Sequence, residues 1–578
     1  MPPLKMNPLA DENLSDFGKT TLTDRYLLPG ESFQDLFARV AQTYADDEAH
    51  AQRLYDYMSN LWFMPATPIL SNGGAGRGLP ISCFLNSVDD SLGGIRDIWN
   101  ENIDLASKGG GIGTYWGSVR SMGEAVAQSG ETSGIIPFIK VMDSLTLAIS
   151  QGSLRRGSAA VYIDIHHPEI EEFLEIRKPT GDMNRRSLNL HHGICIGDDF
   201  MHAIQAGTPY GLRSPKSGEI IRSIDARSLW QKILEVRLQT GEPYLLFTDT
   251  VNQNLSPVHD VLGLKVNQSN LCTEILLPTG KDHLGNQRTA VCCLSSLNLE
   301  KYMEWTGHPT FIEDVMRMLD NVLDDFISKA PASMKNAVYS ATRERSIGLG
   351  VMGFHSFLQS MNIPFDCSMA KSWNSKIFEE IARFTEKANT LLALEKGSCP
   401  DAIDANLNQR FSYTTAIAPT ASISIICGGT SPGIEPIPAN VFVHKTLSGS
   451  FVVKNTHLEL LLDRHGMNTP QVWDDILEQG GSVQHLGIPQ NDLDVFKTAF
   501  EIDQRWVVDL ASDRAPLIDQ GQSVNLFLPS DVHKRDLHML HYRAWMEGVK
   551  SLYYLRSKSI QRAAHAGSTN YDECLACQ

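Results

Sequence analysis

Short β-branched and aromatic runs alternate along this chain with longer amphipathic stretches. That alternation limits the possible folds more than any other feature. "AAVYIDI", "PYLLFTD", "AVCCLSSLNL", "SYTTAIAP" and "SVNLFLP" read as strands. Residues 311–330 and 369–396 repeat apolar side chains at the helical period. A single helix is expected over 31–60, opened by Pro29-Gly30, with others near 95–107 and over "IIPFIKVMDSLTLAIS". Strands alternating with helices imply an α/β architecture. At 578 residues the chain has room for one large α/β barrel with appendages. The last stretch, "RSKSIQRAAHAGSTNYDECLACQ", lacks periodicity and reads as a flexible tail.

Charge and composition exclude several classes. A formal net charge of -17 argues against a polynucleotide partner. No apolar run is long enough to cross a bilayer, and the acid-bearing start "MPPLKMNPLADENLSDFG" is neither a secretory signal nor a transit peptide. A cytoplasmic location is therefore expected, where thiols stay reduced. The ten cysteines then read as buried residues, metal ligands or redox groups rather than structural disulfides.

Several short motifs invite chemistry. In "NQSNLCTEILLPTG", Asn270, Cys272 and Glu274 stand two residues apart. In an extended chain that spacing puts an amide, a thiol and a carboxylate on one face. "GLGVMG" fits a dinucleotide fingerprint, but "ATRERS" before it is no hydrophobic strand, so close helix packing explains its glycines better. His166-His167 and His191-His192 lack zinc-site spacing and read as solvated or core histidines. Cys574 and Cys577 have C-x-x-C spacing with no second pair nearby, which favours a redox dithiol over a metal site. Tyr553 and Tyr554 in "SLYYLRS" alone would signify packing. "APTASISIICGGTSPGIEP" is rich in small residues, and a helix starting there would offer its N-terminus to a phosphate.

Together these residues resemble the large (α) subunit of class I ribonucleotide reductase, from about residue 20 to the C-terminus. The resemblance implies a ten-stranded α/β barrel of two five-stranded halves, over 66–555. A small helical region would precede it at 1–65, and a flexible redox tail would follow at 556–578. It implies that Cys272 becomes a transient thiyl radical and takes the 3′ hydrogen of a ribonucleoside diphosphate. Glu274 is then the base for the 3′ hydroxyl, and Asn270 binds the same region. Cys83 and Cys292, 209 positions apart, match the family's reducing pair, and on a strand Cys293 would face away. Cys574 and Cys577 match the shuttle that restores that pair, recharged by thioredoxin or glutaredoxin. Tyr553 and Tyr554 match a relay from a separate metal-containing β subunit, so no metal or cofactor is expected in this chain itself.

The resemblance extends to nucleotide sites. Thr67, Ser82, Thr420, Ala421, Ser422 and Ile423 match substrate contacts. Asp90, Ser91, Leu92, Arg120, Gln151 and Arg155 match the site where dNTP or ATP effectors set substrate choice. Arg155 is preferred over Arg156 by its distance from "GSAA". A homodimer is implied. "LTDRYLLPGESFQDLFARVA" lies so early that this sequence leaves no room for the ATP-cone of about a hundred residues that many relatives carry. Two rivals remain. One is an adenosylcobalamin-dependent class II enzyme, against which the tyrosine pair argues. The other is a non-catalytic nucleotide-binding regulator, which would not need three placed thiols.

Overall fold

The computed structural model describes residues 4–81, 83–126, 130–151, 155–446 and 449–557. Helices Asp16–Arg25, Phe33–Tyr44 and Glu48–Ser59 form the N-terminal layer. The one helix expected over 31–60 is thus two. Ser32 and Asp35 cap the first reciprocally, and the Asp47 side chain takes the His50 N–H at 2.8 Å to start the second. A side-chain oxygen here satisfies a donor that no earlier turn supplies, so Asp47 marks a helix start.

Five strands lie side by side and parallel in chain order: Cys83–Ser87, Gly111–Tyr115, Ser158–Asp164, Leu190–Ile196 and Tyr244–Phe247. A second parallel set runs through Leu294–Asn298, Gly348–Met352, 414–417, 520–528 and Leu555–Ser557. Two segments join the sets. Ala290–Val291 runs antiparallel to Phe84 and Leu85 before continuing into Leu294–Asn298. Ser551–Leu552 runs antiparallel to Leu245 and Leu246 before continuing into Leu555–Ser557. The ring of two five-stranded halves closes, and closure leaves no unpaired barrel edge.

Alternation along each strand sorts side chains between two cores. Ala159, Val161, Ile163, Leu245 and Phe247 join the outer cluster with the surrounding helices. Ala160, Tyr162, Tyr244 and Leu246 join an inner cluster. Two expected strands are interrupted. "AVCCLSSLNL" breaks at Cys292-Cys293, and of "SVNLFLP" only Leu526–Leu528 is regular. In "SYTTAIAP", Thr415 and Ile417 form single bridges. The backbone of 520–523 bonds to Thr415 and Ile417, while the Gly521 N–H turns instead to a loop inside the ring.

"GLGVMG" supplies the strand Gly348–Met352, preceded by the helix Lys335–Glu344 and not by a strand. It is no dinucleotide turn, and its glycines serve strand packing rather than helix packing. A Cβ at Gly350 would strike the Ala416 carbonyl oxygen of the adjoining segment. Among the described residues no helix is long and apolar enough to cross a membrane.

Candidate active site

Residues 267–276 leave the ring wall and run through its interior. Each buried carbonyl there needs a donor, since no ladder supplies one. One half of the barrel provides Tyr162 Oη to the Asn270 carbonyl at 2.6 Å and Cys195 Sγ to the Asn267 carbonyl at 2.9 Å. The other provides Ser523 Oγ to the Cys272 carbonyl at 2.6 Å, and the joining segment provides Ser551 Oγ to the Thr273 carbonyl at 3.0 Å. The Gly521 N–H reaches the Glu274 carbonyl at 2.8 Å. Gly113 lets the loop lie on the wall, because a Cβ there would come within 2.9 Å of Asn270 Cα.

The loop is not extended as its spacing suggested. Thr273 has φ +67°, in the left-handed region that non-glycine residues seldom occupy. The chain therefore turns between Cys272 and Glu274, and a common strand face does not explain their proximity. Fixation from both halves over-determines the turn. Asn270 Oδ1 also takes the Ile275 N–H at 3.1 Å across it.

Asn270, Cys272 and Glu274 are all fully buried. Asn270 Nδ2 lies 3.3 Å from Cys83 Sγ. The Cys292 N–H donates to the Cys83 carbonyl at 3.0 Å, and the two residues, in no disulfide, share one inner cluster with Ile275 and Leu294. Cys293 faces the other way, its Sγ 3.5 Å from the Leu319 carbonyl in the outer layer. Burial pushes the Cys292 thiol up, reinforced by its hydrogen bond with Cys83 and by the charges of Cys83, Glu274 and Cys272. The Glu274 carboxyl is pushed up to about 8, first by burial and then by Cys83, against hydrogen bonds from its own N–H, Asn270 and Ser523. Glu274 Oε1 is buried without a hydrogen-bond partner.

Tyr553 Oη lies 3.4 Å from Cys272 Sγ. The Tyr553 and Tyr554 rings are 4.2 Å apart, and Tyr554 Oη is 3.4 Å from His191 Nδ1. Adjacent residues of a regular strand face opposite ways, yet both tyrosines join the Cys272 cluster. The ladder breaks at exactly these two residues, where the chain passes from one half-barrel to the other.

Sequence reasoning missed several neighbours. Tyr244 packs against the rings of Tyr553 and Tyr554 at 4.9 and 5.2 Å. His191, read as an ordinary histidine, bonds Glu242 at 2.5 Å. His192 bonds the same carboxylate at 3.1 Å, and His167 the Val119 carbonyl at 3.0 Å. Ser523 carries no local signal at all, because only the closed ring brings it to Cys272. His283, Asp401 and Asp404 bring ligand atoms together, but Arg288 and Arg343 already pair with those carboxylates.

The remaining candidates fall into two places. Thr420 is left-handed at φ +53°, its Oγ1 takes the Gly433 N–H at 2.6 Å, and the helix Ala421–Ile426 starts there. Ser422 and Ile423 lie in its first turns, and Ala421 packs on the cluster holding Cys272. Thr67 begins the helix Thr67–Asn72 and bonds Tyr26 Oη at 2.8 Å, while its neighbour Ala66 packs beside Cys83 and Cys292. Elsewhere, Arg120 pairs with Asp90 at 2.8 Å, Ser91 caps the helix Leu92–Ser107, and Leu92 is exposed. The backbones of Gln151 and Arg155 are paired in an antiparallel register. Ser82, Cys574 and Cys577 lie outside the described residues.

Comparison with known proteins follows the same lines. A family model described as the ribonucleotide reductase all-alpha domain matches residues 12–78, and one described as the ribonucleotide reductase barrel domain matches 81–406 and 402–555. The chain is 42% identical over 559 residues to a putative ribonucleoside-diphosphate reductase large subunit of Frog virus 3 (isolate Goorha), covering 95% of this chain and 96% of that one. It is 32% identical to the ribonucleoside-diphosphate reductase subunit alpha of Chlamydia pneumoniae, over 95% of this chain and 60% of that longer protein. Among solved structures it is similar to the Actinobacillus ureae class Id ribonucleotide reductase alpha subunit. The TM-score is 0.84 at 35% identity, covering 95% of this chain and 98% of that chain.

Proposed function

The chain belongs to the ribonucleotide reductase large-subunit family, and from that premise we propose how its own residues reduce a ribonucleoside diphosphate to the 2′-deoxy product. Cys272, as a thiyl radical, takes the 3′ hydrogen of the ribose. Glu274 takes the 3′ hydroxyl proton, and a carboxyl held near pH 8 is poised for that exchange close to neutrality. Asn270 binds the same edge of the sugar. Cys83 and Cys292 supply two electrons and the protons with which the 2′ hydroxyl leaves as water, and become a disulfide. Cys272 then returns the hydrogen to the 3′ carbon and is left again as the thiyl radical. Cys574 and Cys577 reduce the disulfide by thiol exchange and are recharged by thioredoxin or glutaredoxin.

The substrate diphosphate sits at the turn of Thr420, Ala421, Ser422 and Ile423, with Thr67 and Ser82 beside it. Effector triphosphates occupy the region of Asp90, Ser91, Leu92, Arg120, Gln151 and Arg155, in a homodimer. The single observation that carries the class I reading is the 3.4 Å contact between Tyr553 Oη and Cys272 Sγ, with the Tyr554 ring tilted against Tyr553 at 4.2 Å. A metal-containing small subunit supplies the oxidising equivalent.

That subunit needs a surface near the tyrosines. A largely apolar groove of about 620 Å³ runs between helices Ala226–Thr240 and Lys534–Met546, lined by Trp230, Leu234, Leu537, Met539 and Tyr542. Arg237 of the first helix donates to the Tyr553 carbonyl at 3.1 Å, so a segment docked there lies beside the relay. The test is turnover of each ribonucleoside diphosphate with the small subunit, against the chain with adenosylcobalamin alone. Activity with cobalamin alone would move the assignment to class II, and no turnover under either condition would favour the regulator.

A further inference from the structure

Tyr554 carries a cation on its ring. The Arg556 guanidinium carbon lies 4.9 Å from the Tyr554 ring centroid. Arg556 is held on the strand Leu555–Ser557, in register with Phe527. Its charge opposes the effect of burial on the Glu435 carboxyl, and Glu435 accepts a hydrogen bond from Asn525 Nδ2. Asn525 Oδ1 takes the Tyr554 backbone N–H at 3.1 Å. Contacts therefore run from Tyr554 through Asn525 to Glu435, whose carboxyl feels the Arg556 charge, and nothing in the proposed chemistry uses Glu435 or Arg556.

A cation is attracted to the electron-rich face of an aromatic ring. Withdrawing an electron from that ring weakens the attraction, so the cation favours the reduced tyrosine. We propose that Arg556, held over the ring by its strand, is a positioning residue that keeps Tyr554 hard to oxidise, so that the oxidising equivalent passes inward instead of resting there. The proposal rests on the relay role given above to Tyr553 and Tyr554. In the forward step Tyr554 yields one electron to the metal-derived oxidant of the small subunit and its phenolic proton to water, leaving a neutral phenoxyl. One electron and one proton from Tyr553 restore it. Tyr553 is restored in turn by the hydrogen of the Cys272 thiol, which leaves the thiyl.

The experiment uses the full chain with its small subunit, a ribonucleoside diphosphate and an effector. The small subunit carries deuterated tyrosine, so that large-subunit radicals are distinguishable by electron paramagnetic resonance. Arg556→Gln should lower kcat about tenfold, the scale of losing one desolvated cation–ring contact. Substrate KM and small-subunit affinity should stay within about twofold of wild type. A large-subunit tyrosyl signal should build up, and it should vanish when Tyr554→Phe is added. Arg556→Lys keeps a cation and should recover most of the turnover. Unchanged kcat in Arg556→Gln, loss of turnover without the new signal, or loss repaired by saturating small subunit would each overturn the proposal. Normal turnover in Tyr554→Phe alone would instead overturn the relay itself.

Discussion

Glu274→Gln should make the protein more stable at high pH, less stable at low pH, and inactive throughout. The carboxyl is raised from its ordinary value of 4.5 to about 8. Between those values the folded chain holds a proton that the unfolded chain has released. Stability must therefore fall as pH rises through this window, by about 1.4 kcal/mol per unit, and level off above it. At pH 7.5 the burden is about 4 kcal/mol, and at pH 5 it is below about 1 kcal/mol. Glutamine does not titrate and escapes the burden. Its amide instead puts N–H donors where Oε1 has no partner, which costs about 1–3 kcal/mol at any pH. The two curves should cross between pH 5 and 8. The assay is the urea midpoint of both proteins from pH 5 to 8.5, with deuterium exchange of the 267–276 segment as a local measure. Other titrating groups are common to both proteins and cancel in the difference. Parallel curves would refute the raised carboxyl, and turnover by the variant would refute the base.

Three further outcomes are expected. Cys272→Ser should abolish product formation while nucleotide affinity stays near wild type, since a hydroxyl fills the same space but yields no thiyl; measurable deoxynucleotide from this variant would contradict its role. Tyr553→Phe and Tyr554→Phe should each lose activity with the small subunit while stability changes by only about 1 kcal/mol, and melting curves alongside turnover separate the two effects. Replacing Cys574 and Cys577 together by serine should stop turnover driven by thioredoxin but not by dithiothreitol, and full multiple turnover with thioredoxin would remove the shuttle.

The chemistry was more legible in the sequence than the geometry that serves it. N-x-C-x-E marks Asn270, Cys272 and Glu274, and the reaction proposed for them accounts for those residue types. The spacing argument behind it failed, because the loop's shape is imposed by Tyr162, Gly521, Ser523 and Ser551 from distant segments. Strand alternation correctly separated Cys292 from Cys293. The same rule would have set Tyr553 and Tyr554 on opposite faces, and only the break in the ladder there puts both inside. The 31–60 stretch misled for a local reason: its apolar period runs on past Asp47, and a cap interrupts what the pattern continues.

The two joints of the ring have a consequence beyond architecture. Cys292 directly follows the segment that closes one joint, and Tyr553 directly follows the segment that closes the other. The central loop is tied to both halves at once. A chain whose ring has not shut therefore lacks the partner thiol, the tyrosine contact and the loop turn together. On the radical role proposed for Cys272, such a chain, newly made or partly unravelled, cannot hand an oxidising equivalent to that thiol and leave it unquenched. Under that proposal closure is a safety interlock, arming the thiol only in a molecule able to finish the reaction.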